Sequence, residues 1–210
     1  MILRKGENLL LVSDGDPYLV SERLWLLARD VARSGVKKVG AILVGTGAFA
    51  ETYRGLTDFQ DSGEPFTALV SPVALNFNSV EVHVVPAEGK RPLVEAGPVP
   101  NGYAEIVNEV SQNGGGGHSI SVKPLGAVAG KERFLVTGSI GRRSPPVTVY
   151  GIVSDPEAHL ASAFASLLRK EGISVKKDFG GIVKEANPQG DALAAQESLP
   201  LQDLVRLMNT

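Results

Sequence analysis

Asp61 lies between two aromatic residues, Phe59 and Phe66, in a segment dense with turn formers: Gly55, Asp58, Asp61, Ser62, Gly63 and Pro65. A carboxylate flanked by two rings on a polar loop can meet a ligand that carries an amine, and loops of this kind are where scaffolds display function. The same residues also fit a plainer arrangement, with both rings packed inward and Asp61 capping a turn. The segment runs from Phe49 to Asn78 and ends in an apolar run, Leu69 to Phe77, broken once by Pro72.

Other residues with chemical potential are sparse. His83, His118 and His159 are far apart and show no metal-ligand spacing, and there is no cysteine to supply a thiolate or a disulfide. No metal or cofactor is therefore expected. His83 falls in the alternating stretch Ser79–Val85, on a face with Glu81 and Ser79, and reads as solvent-facing. The run Gly114–Gly117 has the composition of a phosphate cradle, but such loops lead from a strand into a helix. Here a strand-like segment follows, so the run reads as a hairpin tip or linker.

A formal charge of −2 over 210 residues gives no electrostatic footprint for nucleic acid. No apolar stretch is long enough to span a bilayer, so no membrane span is expected. The opening MILRKGENLLLV lacks a small-residue cleavage site and does not read as a signal peptide.

The elements that must position these residues follow from periodicity. Residues 7–12 read as a buried strand, SDGDP at 13–17 as a turn, and Ser21 as the N-cap of a helix carrying Leu24, Leu27, Ala28 and Val31 and stopping at Gly35. VGAILV at 39–44 completes a βαβ-like unit with a parallel pair. The middle of the chain, about 76–146, lacks an amphipathic helix and reads as all-β. From Val147 the α/β pattern returns. TVYGIV is a strand, and Asp155 caps a helix with Pro156 at its first position and an apolar face of Leu160, Ala161, Phe164, Leu167 and Leu168. ISVKKDFGGIVKEA reads as a short strand pair broken at Gly-Gly. A last helix over 198–209 is capped by Ser198, with Leu201, Leu204, Val205 and Met208 on one face. The fold class expected is α/β: a split sheet domain of residues 1–75 plus 147–210, with a nested β-rich domain at 76–146.

Taken in order, several pieces resemble the penicillin-binding protein 4 type, the class C D-alanyl-D-alanine carboxypeptidase/endopeptidases. They are Gly15-Asp16-Pro17 before a helix, Ser34-Gly35-Val36, Phe66-Thr67-Ala68, and Pro72-Val73-Ala74-Leu75-Asn76-Phe77-Asn78. Later come Ser154-Asp155-Pro156, Glu171-Gly172-Ile173-Ser174-Val175, and the closing run from Ser198 to Asn209. The resemblance covers essentially the whole chain. It implies the large insertion that interrupts that family's transpeptidase-like domain between its Ser-x-x-Lys and Ser-x-Asn motifs, and hence a periplasmic or extracytoplasmic location.

The resemblance also implies that the chemistry lies elsewhere. Ser174-Val175-Lys176-Lys177 is a Ser-x-x-Lys, but in a predicted strand its ends point to opposite faces, whereas a serine–lysine pair needs one helical face. Ser111-Gln112-Asn113 precedes a glycine run rather than joining helices, and no Lys-Thr-Gly or Lys-Ser-Gly occurs. No catalytic residue is expected. In the family a loop of the insertion contacts the peptide side chain, and Phe59, Asp61 and Phe66 match it by type and spacing, as substrate-specificity residues facing a diaminopimelate-like amine. The partners implied are the catalytic domain of the same protein and a peptidoglycan peptide. Two other readings stand beside this one: a structural or interaction module without substrate contact, and an independent small-molecule-binding α/β protein.

Overall fold

A computed structural model describes residues 1–47, 68–89, 91–97, 102–128 and 131–208. The fold is mixed α/β, with three sheets and three α-helices among the described residues. The chain divides into two compact units. The first comprises residues 1–52, 71–77 and 156–210, and the second 53–70 and 78–155.

The first unit is a five-stranded sheet with helices. Strands β1 (Ile2–Lys5) and β2 (Asn8–Val12) form an antiparallel hairpin whose turn includes Gly6 at φ +62°. Helix α1 (Ser21–Arg33) follows and buries Leu24, Leu27, Ala28 and Val31. Gly35, at φ +87°, ends it in the left-handed conformation that glycine adopts without a Cβ penalty. Strand β3 (Lys38–Gly45) then pairs parallel to β2, which completes the βαβ unit.

The remaining strands of this sheet are β10 (Ser174–Val183), parallel to β3, and β11 (Asp191–Ala194), antiparallel to β1, giving the order β10-β3-β2-β1-β11. The Gly-Gly of β10 does not split a strand pair, as its sequence suggests. It sits at a bulge in one continuous strand, where the register to β3 shifts between Lys177 and Gly181. A Cβ on Gly180 would lie 2.8 Å from both the Ala41 Cβ and the Leu43 Cδ2, and Gly181 takes φ +125°. Two adjacent glycines are what this bulge requires.

Helix α2 (Pro156–Lys170) begins at Pro156 as expected, but it is buried nearly all round and packs on β3, β10 and α1. Its interior includes Glu157, His159 and Ser162 as well as the expected apolar face. The last helix, α3, spans Leu201–Met208 rather than 198–209. The Pro200 carbonyl, not Ser198, accepts from the Asp203 and Leu204 N–H groups. Of the expected apolar face Leu204 is buried, while Leu201 (75% exposed) and Val205 are in solvent.

The second unit stacks two three-stranded sheets. One has the order β5-β4-β9, from β4 (Ser79–Val85), β5 (Leu93–Gly97) and β9 (Val147–Ile152). The other has the order β6-β8-β7, from β6 (Ala104–Asn113), β7 (His118–Val128) and β8 (Lys131–Gly141). Alternation puts Val82, Val84, Val110, Val136 and Ile140 in one core. Gly151 adds room there, since a Cβ would come within 2.9 Å of Phe134 and Val122.

Two expectations change in this unit. Strand β9 pairs along its length with β4, so residues 147–155 group with the second unit rather than with the α/β unit. The run Gly114–Gly117 is not a hairpin tip, because β8 lies between the two strands it joins. It arches over the end of β8 instead, with Gly141 N–H donating to Gly117 O (2.8 Å) and Arg143 N–H to Gly115 O (3.3 Å).

His159 gives the first unit an acid sensitivity. Burial of the imidazole holds its pKa down at about 4. The unfolded chain then binds a proton near pH 6.5 that the folded one refuses until about 4, so this contribution is intact above pH 6.5 and is lost as pH falls through that window. The loss is about 3 kcal/mol when complete. We expect the urea-derived stability of the wild type to fall more between pH 7 and 4.5 than that of His159→Gln. Parallel pH profiles for the two proteins would contradict this.

Candidate functional site

The parallel strands β2, β3 and β10 deliver their following segments to one edge of the sheet, the place where open α/β sheets carry their sites. After β2, Gly15 turns the chain at φ +82° and the Asp16 side chain accepts from the Tyr18 N–H (2.9 Å). Arg23, in the first turn of α1, donates to the Asp16 carboxylate (2.7 Å) and the Tyr18 carbonyl (3.0 Å) through Nη1, and to the Glu197 carbonyl (2.7 Å) through Nη2. One guanidinium fork thus ties the Gly15-Asp16-Pro17 turn to the segment before α3. Between them lies a cleft of about 390 Å³, lined among others by Ser13, Asp14, Leu27, Leu160 and Gln196.

After β3, the Thr46 N–H donates to Val183 O (3.0 Å), and a Cβ on Gly47 would overlap the Glu185 carbonyl. That fixed exit is where the Asp61 segment departs. Phe59, Asp61 and Phe66 themselves lie outside the described residues. On the return, the Leu69 carbonyl accepts from the Asn78 side-chain amide (2.7 Å), and the Ser71 hydroxyl donates to the buried Glu157 carboxylate (2.8 Å).

The return ends in Asn76-Phe77-Asn78, three consecutive non-glycine residues at φ +49°, +58° and +54°. Asparagine tolerates this region, but for Phe77 it costs about 1–2 kcal/mol. The cost is met by side-chain bonds. Asn76 Oδ1 accepts from the Ser21 N–H (3.0 Å), its Nδ2 donates to the Ser21 hydroxyl (2.8 Å), and its own N–H donates to Leu19 O (3.0 Å). Ser21 is therefore not the N-cap of α1. Val20 holds that position without a side-chain bond, and Asn76 satisfies the helix's free N–H from 55 residues away. Phe77 is left 58% exposed.

The second unit contains a buried polar pair. The Tyr103 hydroxyl donates to Glu132 Oε2 (2.5 Å), the same oxygen accepts from the Ser154 N–H (2.8 Å), and the Asp155 N–H donates to the Tyr103 oxygen (3.1 Å). Both side chains are fully buried. Burial, then the Glu132 carboxylate, push the phenol above its ordinary pKa, so it remains a proton donor. On the other sheet, His83 is about half exposed, with Nδ1 3.0 Å from the Thr148 hydroxyl and Nε2 3.4 Å from Glu81. Ser79, expected on that face, is buried.

None of these arrangements pairs a nucleophile with a base in an enclosed pocket. Ser174 and Lys177 lie in strand β10. A second Ser-x-x-Lys, Ser34-Gly35-Val36-Lys37, also exists, and it falls across the end of α1. The Ser34 hydroxyl donates back to Val31 O, and Gly35 leaves the helix, so serine and lysine share no helical face. Among the described residues no group of three or more His, Asp or Glu could hold a metal, and no helix is long and apolar enough to cross a membrane. Arg23, Asn76, Tyr103 and Glu132 are the position-setting residues that sequence reasoning did not single out. The faint signal for Arg23 was a cation in the first helical turn, where the dipole disfavours it unless an acid is near.

Comparison with known proteins adds to this geometry. The chain is similar to penicillin binding protein 4 (dacB) from Haemophilus influenzae, with a TM-score of 0.70 at 22% identity over 99% of this chain and 47% of that one. The same protein in complex with a β-lactam gives 0.62 at 20% identity, over 99% and 45%. At these identities the likeness is one of fold. A D-alanyl-D-alanine carboxypeptidase from Actinomadura sp. (strain R39) is 31% identical over 214 residues, 96% of this chain and 39% of that protein. The chain thus spans less than half the length of each. The family description D-Ala-D-Ala carboxypeptidase 3 (S13) matches residues 3–210, and the chain belongs to that family.

Proposed function

We propose that this chain is the non-catalytic insert region of a serine-type D-Ala-D-Ala carboxypeptidase/endopeptidase acting in peptidoglycan remodelling outside the cytoplasm, and that it helps to position the peptide stem. The observation that carries this reading is the unbroken family match over residues 3–210 in a sequence without Lys-Thr-Gly and without a Ser-x-x-Lys on one helical face. Acyl transfer needs a nucleophile, a base and oxyanion donors together, and this chain's own residues do not supply the set. What they supply is a pair of fixed flanks. The bonds at Thr46, Ser71, Asn76 and Asn78 fix the described residues on either side of the segment that carries Asp61. A segment whose flanks are fixed has less conformational entropy to lose on binding than one whose flanks are free.

The test uses the full-length parent enzyme. Asp61→Asn keeps the shape of the side chain and removes its charge. Substrates with a cationic diaminopimelate-type end should lose roughly 1–3 kcal/mol of transition-state binding in kcat/KM, and substrates without that amine should hardly change. The isolated chain should show no penicillin adduct by intact mass. Equal losses on both substrate classes would favour a module without substrate contact, and an adduct on any serine of the chain would overturn the non-catalytic reading.

A further inference from the structure

A cleft of about 560 Å³ opens on the second unit, away from both chain ends and from the Asp61 segment in sequence. Its wall is strand β6 with Asn108, Glu109, Ser111 and Gln112, closed by Arg91 from the β4–β5 connection and Arg142 from the turn after β8. We propose that this cleft binds an oxyanion with paired terminal oxygens, a carboxylate or a phosphate, held between the two guanidinium groups.

Three observations point there. First, the two arginines converge on one cleft, and among the described residues neither stands in an ion pair with a carboxylate. Arg4, Arg29 and Arg143 also lack an acid partner among the described residues, so what sets Arg91 and Arg142 apart is that they line the same cleft. Second, the walls are fixed by side chains. Gln112 Nε2 donates to Ala87 O (2.8 Å) and Gly89 O (3.0 Å), and its Oε1 accepts from the Ala87 N–H (2.9 Å). Asn108 Nδ2 donates to Pro92 O (3.1 Å), so the segment carrying Arg91 is stitched to β6 on both sides of that residue. Third, Arg142 is braced at its backbone, N–H to Asn113 O (2.9 Å), and by one Nη2 contact to Gly89 O (3.3 Å). The rest of its donors stay available.

Guanidinium forks match carboxylate and phosphate oxygens two at a time, which a chloride ion cannot reproduce. Glu109 also lines the cleft, and its carboxylate offsets part of the attraction that the two guanidinium groups exert on an anion. The cleft is open, which suits a charged group carried on an extended polymer better than an enclosed small molecule.

The test is NMR titration of the 210-residue chain, following the Arg91 and Arg142 side-chain N–H signals. Inorganic phosphate and acetate should each give saturable shifts at constant ionic strength, and sodium chloride should not. Arg91→Gln, at a side chain with no hydrogen bond or ion pair among the described residues, should weaken phosphate binding at least fivefold with the fold unchanged by circular dichroism. Arg142→Lys should weaken it too while keeping the charge. Tighter binding of poly(glycerol phosphate) than of phosphate would identify a phosphodiester source, and tighter binding of D-alanyl-D-alanine than of acetate a peptide carboxylate. Shifts that chloride reproduces, or that survive Arg91→Gln undiminished, would overturn the proposal.

Discussion

Glu132→Ala is expected to cost the second unit about 3–5 kcal/mol, the usual penalty for breaking a buried charged hydrogen-bond set from one side. The carboxylate is fully buried and accepts from both the Tyr103 hydroxyl and the Ser154 N–H. Alanine leaves both donors dry and unmatched, and opens a void as well. Glu132→Gln should cost less, roughly 1–3 kcal/mol, because its amide oxygen can still accept from both donors while its NH2 is left buried. The probe matters. The sole tryptophan, Trp25, belongs to the first unit, so the measurement is urea unfolding by far-UV circular dichroism or amide exchange in β8. An alanine variant within 1 kcal/mol of wild type would show that the Tyr103–Glu132 pair does not hold this unit together.

The second large effect is expected at Gly138, in the middle of β8. Its φ is +111°, and an added Cβ would overlap the carbonyl oxygen of Ser119 on the neighbouring strand and sit 3.2 Å from the Ile120 Cα. Both obstacles are backbone, so no side chain can swing away. Gly138→Ala should therefore lose roughly 3–5 kcal/mol and slow β7–β8 pairing. Gly117 is the control. It has a similar φ of +92° but nothing within 4 Å of an added Cβ, so Gly117→Ala should lose only about 1–2 kcal/mol, the conformational cost alone. Equal losses at the two sites would mean that close strand approach contributes nothing at Gly138.

Much of the α/β unit was legible because its signals are local. The helical spacing of Leu24, Leu27, Ala28 and Val31, the stop at Gly35 and the run Val39–Val44 each lie within one element, and β2, α1 and β3 follow them. Strands β1 and β11 were missed for a physical reason. Each is four residues long, and Asp191-Ala-Leu-Ala has little β propensity of its own; it is a strand because β1 offers it an edge. Ser21 looked like a cap because capping is usually local, whereas the groups it bonds belong to Asn76. Strand β9 was assigned to the wrong unit because a strand's own residues do not say which partner it will pair with. Glu132 looked like any polar residue in an alternating strand, and its burial depends on Tyr103 arriving from 29 residues earlier. The position of Asp61 between Phe59 and Phe66 remains a reading of the sequence, and its test is kinetic.

The sheet order of the first unit constrains how the protein can be made on a ribosome. Strand β3 leaves the exit tunnel early, yet its parallel neighbour β10 begins only at Ser174, and β11, the partner of β1, only at Asp191. All of the second unit's described strands are synthesised in between. During elongation β1, β2, α1 and β3 must therefore wait with one side of β3 unpaired, a template for another nascent chain. The intervening unit's described strands and its buried polar pair are complete once Asp155 has emerged, so it can fold first. Its folding draws the two ends of a long insertion together, which lowers the closure entropy that β10 must overcome to find β3. The inserted unit thereby acts, for the sheet whose strands precede and follow it in sequence, as a built-in assembly aid.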